Sequence, residues 1–118
     1  MATIYHEAEE QFTLQKESNN LELQVTTGNG QGGGIVTFFE NELLTEVNGK
    51  YEITNNSKIG KWLTVIVAIK DKLTQTNWTN VTISLKEIGA QEQKYQYSRE
   101  LANHLDTIVY TIKIKVVS

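Results

Sequence analysis

The most apolar stretch of this chain is KWLTVIVAIK at residues 61–70. In an extended conformation its side chains alternate between two faces, with Leu63, Val65, Val67 and Ile69 on one and Trp62, Thr64, Ile66 and Ala68 on the other. The β-branched side chains and the short length favour a strand over a helix. Because both faces are largely apolar, the stretch predicts a central strand with sheet partners on either side.

The runs on either side of this stretch show the alternation of half-buried strands. Leu21–Thr27 alternates apolar with polar side chains, and similar patterns occupy residues 78–88 and Thr107–Val117. Segments rich in glycine and asparagine separate these runs, and no strand alternates with a long helix. We therefore predict an all-β, single-domain antiparallel β-sandwich, immunoglobulin-like or jelly-roll-like, with about seven to nine strands.

Asn48-Gly49 is the strongest hairpin signal in the chain. A type I′ turn needs positive φ at both central residues, and asparagine and glycine adopt it most readily. The dipeptide predicts a hairpin between residues 44–47 and Tyr51–Ile53.

The ends of the domain are less regular. A chain of 118 residues is one domain by size, and we assign residues 11–118 to the sandwich. Residues 1–10 are set apart as an N-terminal arm, whose pattern fits a strand, a helical turn or a loose extension. Ser98 can cap a helix, so at most one short helix is expected near residues 98–105.

Composition excludes several classes of protein. The chain has no cysteine, so disulfides, thiolate metal sites and a cysteine nucleophile are ruled out. The formal net charge is −3 with no basic block, which predicts no nucleic-acid partner. No apolar run is long enough to cross a bilayer, so we expect no membrane span. The first residues lack a secretory signal, which predicts a protein that is cytoplasmic or exported without a cleaved signal.

Five of the eight glycines lie within residues 28–34. The spacing matches the dinucleotide fingerprint, but a strand-like run follows where that fingerprint needs a helix N-terminus. Two interpretations remain: a hairpin loop or bulge between antiparallel strands, or a surface where a ligand or subunit approaches the backbone. If the stretch is such a contact surface, the binding residues are Gly28, Asn29, Gly30, Gln31 and Gly32.

The run at residues 35–40 is apolar on both faces and contains Phe38 and Phe39. Such a strand is either central in a sandwich or covered by a partner. Our leading hypothesis is a non-enzymatic binding or assembly module, in which this strand and the adjacent glycine-rich loop contact a protein partner or a second copy.

Trp78 carries the alternative hypothesis, a carbohydrate-binding module. It lies at a loop-to-strand boundary among Gln75, Asn77 and Asn80. An aromatic face can stack on a sugar ring while amides bind its hydroxyls.

Catalytic and metal-binding residue types are sparse. Ser98, His104 and Asp106 contain the residue types of a hydrolase triad, but no nucleophile-elbow glycines surround the serine. A small hydrolase is therefore a minor alternative, and we assign no catalytic residue. His6 and Glu10 would share a helical face, but two ligands do not make a metal site. No metal or other cofactor is predicted.

Overall fold

The structure is a computed structural model that describes residues 2–28, 33–70, 77–103 and 105–118. Within these ranges the chain forms nine strands in two packed sheets and no helix. The strands are β1 Thr3–Thr13, β2 Leu21–Thr27, β3 Gly33–Phe39, β4 Glu42–Leu43, β5 Tyr51–Ile53, β6 Trp62–Lys70, β7 Trp78–Glu87, β8 Glu92–Glu100 and β9 Thr107–Val117. The prediction of an all-β sandwich is confirmed.

The five-stranded sheet has the order β1-β9-β6-β3-β4. β6 lies at its centre, antiparallel to both β3 and β9. Its inward side chains, including Leu63 and Val65, are fully buried. The prediction that residues 61–70 form a central strand is therefore confirmed.

The first strand departs from the expected organisation in two ways. β1 pairs with β9 in parallel, with Thr3 opposite Thr107 and Thr13 opposite Val117. It also continues across the boundary drawn at residue 10. Ile4 packs against the core and Phe12 is buried within it, so from Thr3 onward these residues belong to the sandwich rather than to an arm.

The four-stranded sheet has the order β5-β2-β7-β8, and its pairs are antiparallel. One face of each sheet turns inward, and the apolar core lies between them. The largest buried apolar side chains are Phe12, Leu21, Leu23, Ile53, Leu63, Ile69, Ile83, Leu85, Leu101, Ile108 and Tyr110.

The Asn48-Gly49 turn forms, with φ of 53° and 79° at these two residues and a bridge between Val47 and Lys50. The flanking runs do not form a longer hairpin, because they join different sheets. β4 pairs with β3, whereas β5 pairs with β2. The turn therefore lies on a crossing between the sheets.

No helix forms among the described residues near 98–105. β8 runs through Ser98 to Glu100, because both residues pair with β7. Beyond the strand, the Leu101 N–H donates to the Asn77 carbonyl at 2.8 Å, and Leu101 is buried. Strand pairing and this anchor replace the helix that the sequence allowed.

The glycine stretch does not join a hairpin. β2 and β3 lie in different sheets, so the connection between them crosses the sandwich. One end needs glycine for close approach, because a Cβ on Gly33 would lie 2.2 Å from the Ala68 backbone carbonyl. A Cβ on Gly28 would meet the Asn80 side chain at 2.1 Å, and that side chain can rotate away. Asn29, Gly30, Gln31 and Gly32 lie outside the described residues.

Candidate functional site

The two phenylalanines of β3 point to opposite sides of the sheet. Phe39 is 2% exposed and belongs to the core. Phe38 lies on the outer face and is half-buried. The assignment of Phe39 as a binding residue is therefore wrong, because strand alternation places only one of two neighbouring side chains on a given face.

The outer face of the five-stranded sheet is apolar around Phe38. Val36 lies opposite Ile66 on β6, and Phe38 lies opposite Leu43 on β4. Val36 is 41% exposed and Leu43 is 61% exposed. Residues opposite each other on neighbouring strands are in side-chain contact range, so these four form one patch.

The same face continues across the sheet toward β1. Ala68 lies opposite Val109 on β9, which lies opposite Tyr5 on β1. Tyr5 is 69% exposed. We call this surface the apolar face. It comprises Tyr5, Val36, Phe38, Leu43, Ile66, Ala68 and Val109.

Charged and amphipathic side chains border the apolar face at one end. Glu9 lies opposite Lys113, and Gln11 lies opposite Lys115. The Lys115 ammonium sits 5.9 Å from the centre of the Trp62 ring. The outer surface of this sheet therefore changes from apolar to charged along the strands.

Trp78 lies on the outer face of the other sheet and is 47% exposed. Strand alternation puts Asn80 and Thr82 on the same face, and Ser98 on β8 lies opposite Asn80. Of the residues expected to bind a sugar, the structure thus brings Trp78 and Asn80 to one face. Gln75 lies outside the described residues.

A cluster of aromatic and polar side chains joins β1 to β8, and sequence reasoning missed it. The His6 ring lies 5.1 Å from the Tyr110 ring and 5.9 Å from the Tyr97 ring, centre to centre. The Tyr97 hydroxyl donates to the Glu10 carboxylate, and the Tyr95 hydroxyl donates to the Gln11 carbonyl at 2.8 Å. His6 and Glu10 share a face of a strand, not of a helix.

The phenols of this cluster are held in the protonated form. Burial, with the nearby Glu10 carboxylate, raises the pKa of Tyr95 to about 12. Burial and the hydrogen bond to Glu10 raise the pKa of Tyr97 further. The only sequence signal for the cluster was the alternation of polar and apolar residues in 4–12, which also fits a loose arm.

The residue types of a hydrolase triad are not assembled among the described residues. Ser98 sits on the outer face of β8. Asp106 is buried, and its carboxylate accepts the N–H groups of Ala2 at 2.9 Å and Asn103 at 3.2 Å. Asp106 therefore anchors backbone. His104 lies outside the described residues.

Glu87 is a second buried carboxylate with a structural role. It accepts the N–H groups of Gln15 and Lys16 at 2.9 and 3.0 Å and the Asn19 amide at 2.8 Å. Burial raises the pKa of Glu87, but these hydrogen bonds outweigh it and leave the pKa below its usual 4.5. The carboxylate holds the connection between β1 and β2.

The described residues offer neither a metal site nor a membrane-spanning helix. In the part of the chain that the structure describes, no group of three or more acidic, histidine or cysteine side chains could hold a metal ion. No helix in that part is long and apolar enough to span a membrane.

Comparison with protein families, curated proteins and solved structures finds no match to this chain in any of the three.

Proposed function

We propose that the protein is a non-enzymatic binding or assembly module that contacts a protein partner through its apolar face. The observation that carries this proposal is the continuity of seven uncharged, mainly apolar side chains from Tyr5 on β1 to Leu43 on β4. Contiguous exposed apolar patches on a folded domain typically mark interaction surfaces.

The shape and border of the face favour a protein over a small ligand. Small molecules bind mainly in concave sites that enclose them, whereas the face of a five-stranded sheet is open. A charged border around an apolar centre is the usual composition of a protein interface. Glu9, Lys113 and Lys115 supply that border at one end.

Burying the face would release substantial free energy. Val36 and Leu43 are 41% and 61% exposed, and full burial of such a side chain contributes about 1.5–3 kcal/mol. A second copy of the chain is the simplest partner, because it presents the same face.

The proposal is tested by light scattering over a range of protein concentrations. We expect the wild-type chain to associate and the double variant Val36→Lys, Leu43→Lys to be monomeric. The matched control is Val47→Lys with Ile88→Lys, which places the same charges at exposed apolar positions elsewhere and should leave association unchanged.

A wild-type chain that is a strict monomer would remove self-association. The proposal would then depend on a different protein partner, whose binding must be lost in the double variant and retained in the control variant. Equal behaviour of the two variants would contradict it.

Carbohydrate binding is a second candidate, favoured by the placement of Trp78. The half-exposed ring lies in line with the Asn80 amide and the Thr82 hydroxyl, beside Ser98. A stacking surface next to amides and hydroxyls can bind a sugar ring and its hydroxyl groups.

This candidate is tested with a glycan array and with fluorescence of the Trp62→Phe variant, in which Trp78 is the only tryptophan. Binding should change the Trp78 emission and disappear in Trp78→Ala. An array with no bound glycan would contradict the hypothesis.

A further inference from the structure

The partner strands of β2 and β3 are much shorter than β2 and β3 themselves. β5 covers only residues 21–23 of β2, and β4 covers only residues 38–39 of β3. Among the described residues, β2 from Gln24 to Thr27 and β3 from Gly33 to Val36 therefore have no strand on their outer edge. These two open edges lie at the same end of the sandwich, where the glycine stretch connects them.

Backbone hydrogen-bonding groups point out of the open edge of β3. The Leu44 N–H donates to the Thr37 carbonyl at 2.9 Å, so Thr37 directs its backbone groups away from β6. Alternate residues of an antiparallel strand share this direction. Ile35 and Gly33 therefore direct an N–H and a carbonyl each to the open edge, where another strand could bind them.

The core is less well covered along these edges. On β3 the inward residues Phe39 and Thr37 are buried, whereas Ile35 is only half-buried and Gly33 is exposed. On β2, Leu21 and Leu23 are fully buried and Val25 is half-buried. Burial thus decreases toward the glycine end of both strands, as expected where a covering strand is missing.

The open edge of β3 also lacks the protection that strands usually carry. Lysine, proline or an inward charge normally prevents pairing with another chain. Residues 33–36 read Gly-Gly-Ile-Val, with no charge and no proline. By contrast, the edge strand β1 carries the charged residues Glu7, Glu9 and Glu10, and its Gln11 carbonyl accepts the Tyr95 hydroxyl of β8.

We propose that these open edges form an acceptor cleft for one extended strand of a partner protein. The strand runs antiparallel to β3, continuing the line of β4. It hydrogen-bonds to Gly33 and Ile35 and turns apolar side chains inward over Ile35 and Val25. This inference rests on the proposed function and specifies how a protein partner engages β3.

A second copy pairing through the same edge fits less well. Leu44 occupies the position opposite Thr37, so two copies related by a two-fold axis could pair only near Gly34. Gly33 of one copy would then lie opposite Ile35 of the other. Because glycine has no side chain, the half-buried Ile35 would stay uncovered. A strand with apolar residues at alternate positions covers it.

The first test is amide hydrogen exchange of the free protein, followed by NMR. We expect the Ile35 N–H to exchange rapidly, whereas the Val36 N–H, which faces β6, should be protected. A protected Ile35 N–H at all protein concentrations would show that the chain covers its own edge, and protection that grows with concentration would show that a second copy does. Either result would overturn the proposal.

The second test is titration with the peptide acetyl-Lys-Thr-Val-Thr-Ile-Thr-Lys-amide. We expect shifts centred on Gly33, Ile35 and Val25, and protection of the Ile35 N–H. The same peptide with N-methylated valine and isoleucine cannot donate to the β3 carbonyls and should not bind. No shifts at these residues, or equal binding of the two peptides, would overturn the proposal.

A variant of the protein adds a matched comparison. Ile35→Pro removes the outward N–H without removing a bond to β6, and edge strands tolerate proline at such positions. It should weaken peptide binding about fivefold, as expected for one hydrogen bond. Ile88→Thr, at an exposed apolar position beyond the opposite end of β2, should leave it unchanged.

The two proposals can fail separately. Loss of association in Val36→Lys, Leu43→Lys without peptide binding would leave the apolar face as the site and remove the acceptor cleft. If the peptide binds and that double variant leaves association unchanged, the acceptor cleft stands and the apolar face is removed as the site.

Discussion

The hydroxyl groups of Tyr110 and Thr79 lie 2.7 Å apart between the two sheets. Tyr110 belongs to β9 and Thr79 to β7, and both side chains are fully buried. The Thr79 hydroxyl also donates to the Arg99 carbonyl at 2.9 Å. A polar bridge therefore crosses the core at this point.

Removing either hydroxyl group of this bridge should destabilise the fold, and the two losses in stability should differ. Tyr110→Phe leaves the Thr79 hydroxyl bonded to Arg99, and should lower the free energy of unfolding by about 1 kcal/mol. Thr79→Val leaves the Tyr110 phenol buried without that partner, and should cost about 1–3 kcal/mol. Urea denaturation measures both values, and a larger loss for Tyr110→Phe would contradict this account.

Removing the Thr37 hydroxyl should, in contrast, stabilise the fold. This hydroxyl is buried on the inner face of β3 and has no hydrogen-bond partner among the residues that the structure describes. Thr37→Val removes the unpaired group at nearly constant volume, and should raise the free energy of unfolding by about 1 kcal/mol. A decrease on urea denaturation would show that the hydroxyl is satisfied in solution.

Gly33 and Gly34 are neighbours in sequence, but they differ in the space available for a side chain. A Cβ on Gly33 would meet the Ala68 carbonyl at 2.2 Å, whereas one on Gly34 would have no atom of the described residues within 4 Å. Gly33→Ala should therefore destabilise the fold by about 1–3 kcal/mol, and Gly34→Ala should stabilise it by about 0.5 kcal/mol through the unfolded chain. Thermal melts of the two variants should move in opposite directions, and equal shifts would contradict the close approach.

Glu87 predicts how stability changes in acid. Its pKa in the folded protein lies below 4.5, so the stability that its ionised form contributes is complete above that pH and is lost as the pH falls through the folded value. The free energy of unfolding should decrease below about pH 4.5, and Glu87→Gln should make that decrease shallower. An unchanged acid profile in the variant would contradict the role of this carboxylate.

Tyr95 and Tyr97 predict how stability changes at alkaline pH. Their folded pKa values are raised above 10, so the stability they contribute is complete below about pH 10 and is lost as the pH rises toward the folded values. Tyr97→Phe should flatten the alkaline decrease in stability. Absorbance titration of the phenolates provides the independent check.

Periodicity in the sequence predicted several strands, but not the full length of β1 or β8, and not which strands are partners. Residues 61–70 form the central strand, as their apolar alternation indicated. The same alternation in β2 and β3 says which side chains face inward, and nothing about which sheet each strand joins. Of the two interpretations of the glycine stretch, the hairpin between β2 and β3 was wrong for this reason, since these strands pair with other strands.

The candidate site was predictable in part. The two-sided apolar character of residues 35–40 indicated an apolar outer surface, but could not say whether Phe38 or Phe39 would face it. Tyr5 and Leu43 join the same surface only through long-range register. The cluster around His6 arises from the meeting of β1 with β8, which no local pattern encodes.

The parallel pairing of β1 with β9 has a consequence for biosynthesis. Thr3 meets Thr107 and Thr13 meets Val117, so β1 is synthesised about a hundred residues before the strand that becomes its sheet partner. Pairings between residues so distant in the chain form slowly. During that interval β1 and the partner edge of the sheet stay open to other chains, and a nascent-chain chaperone is best placed to protect them.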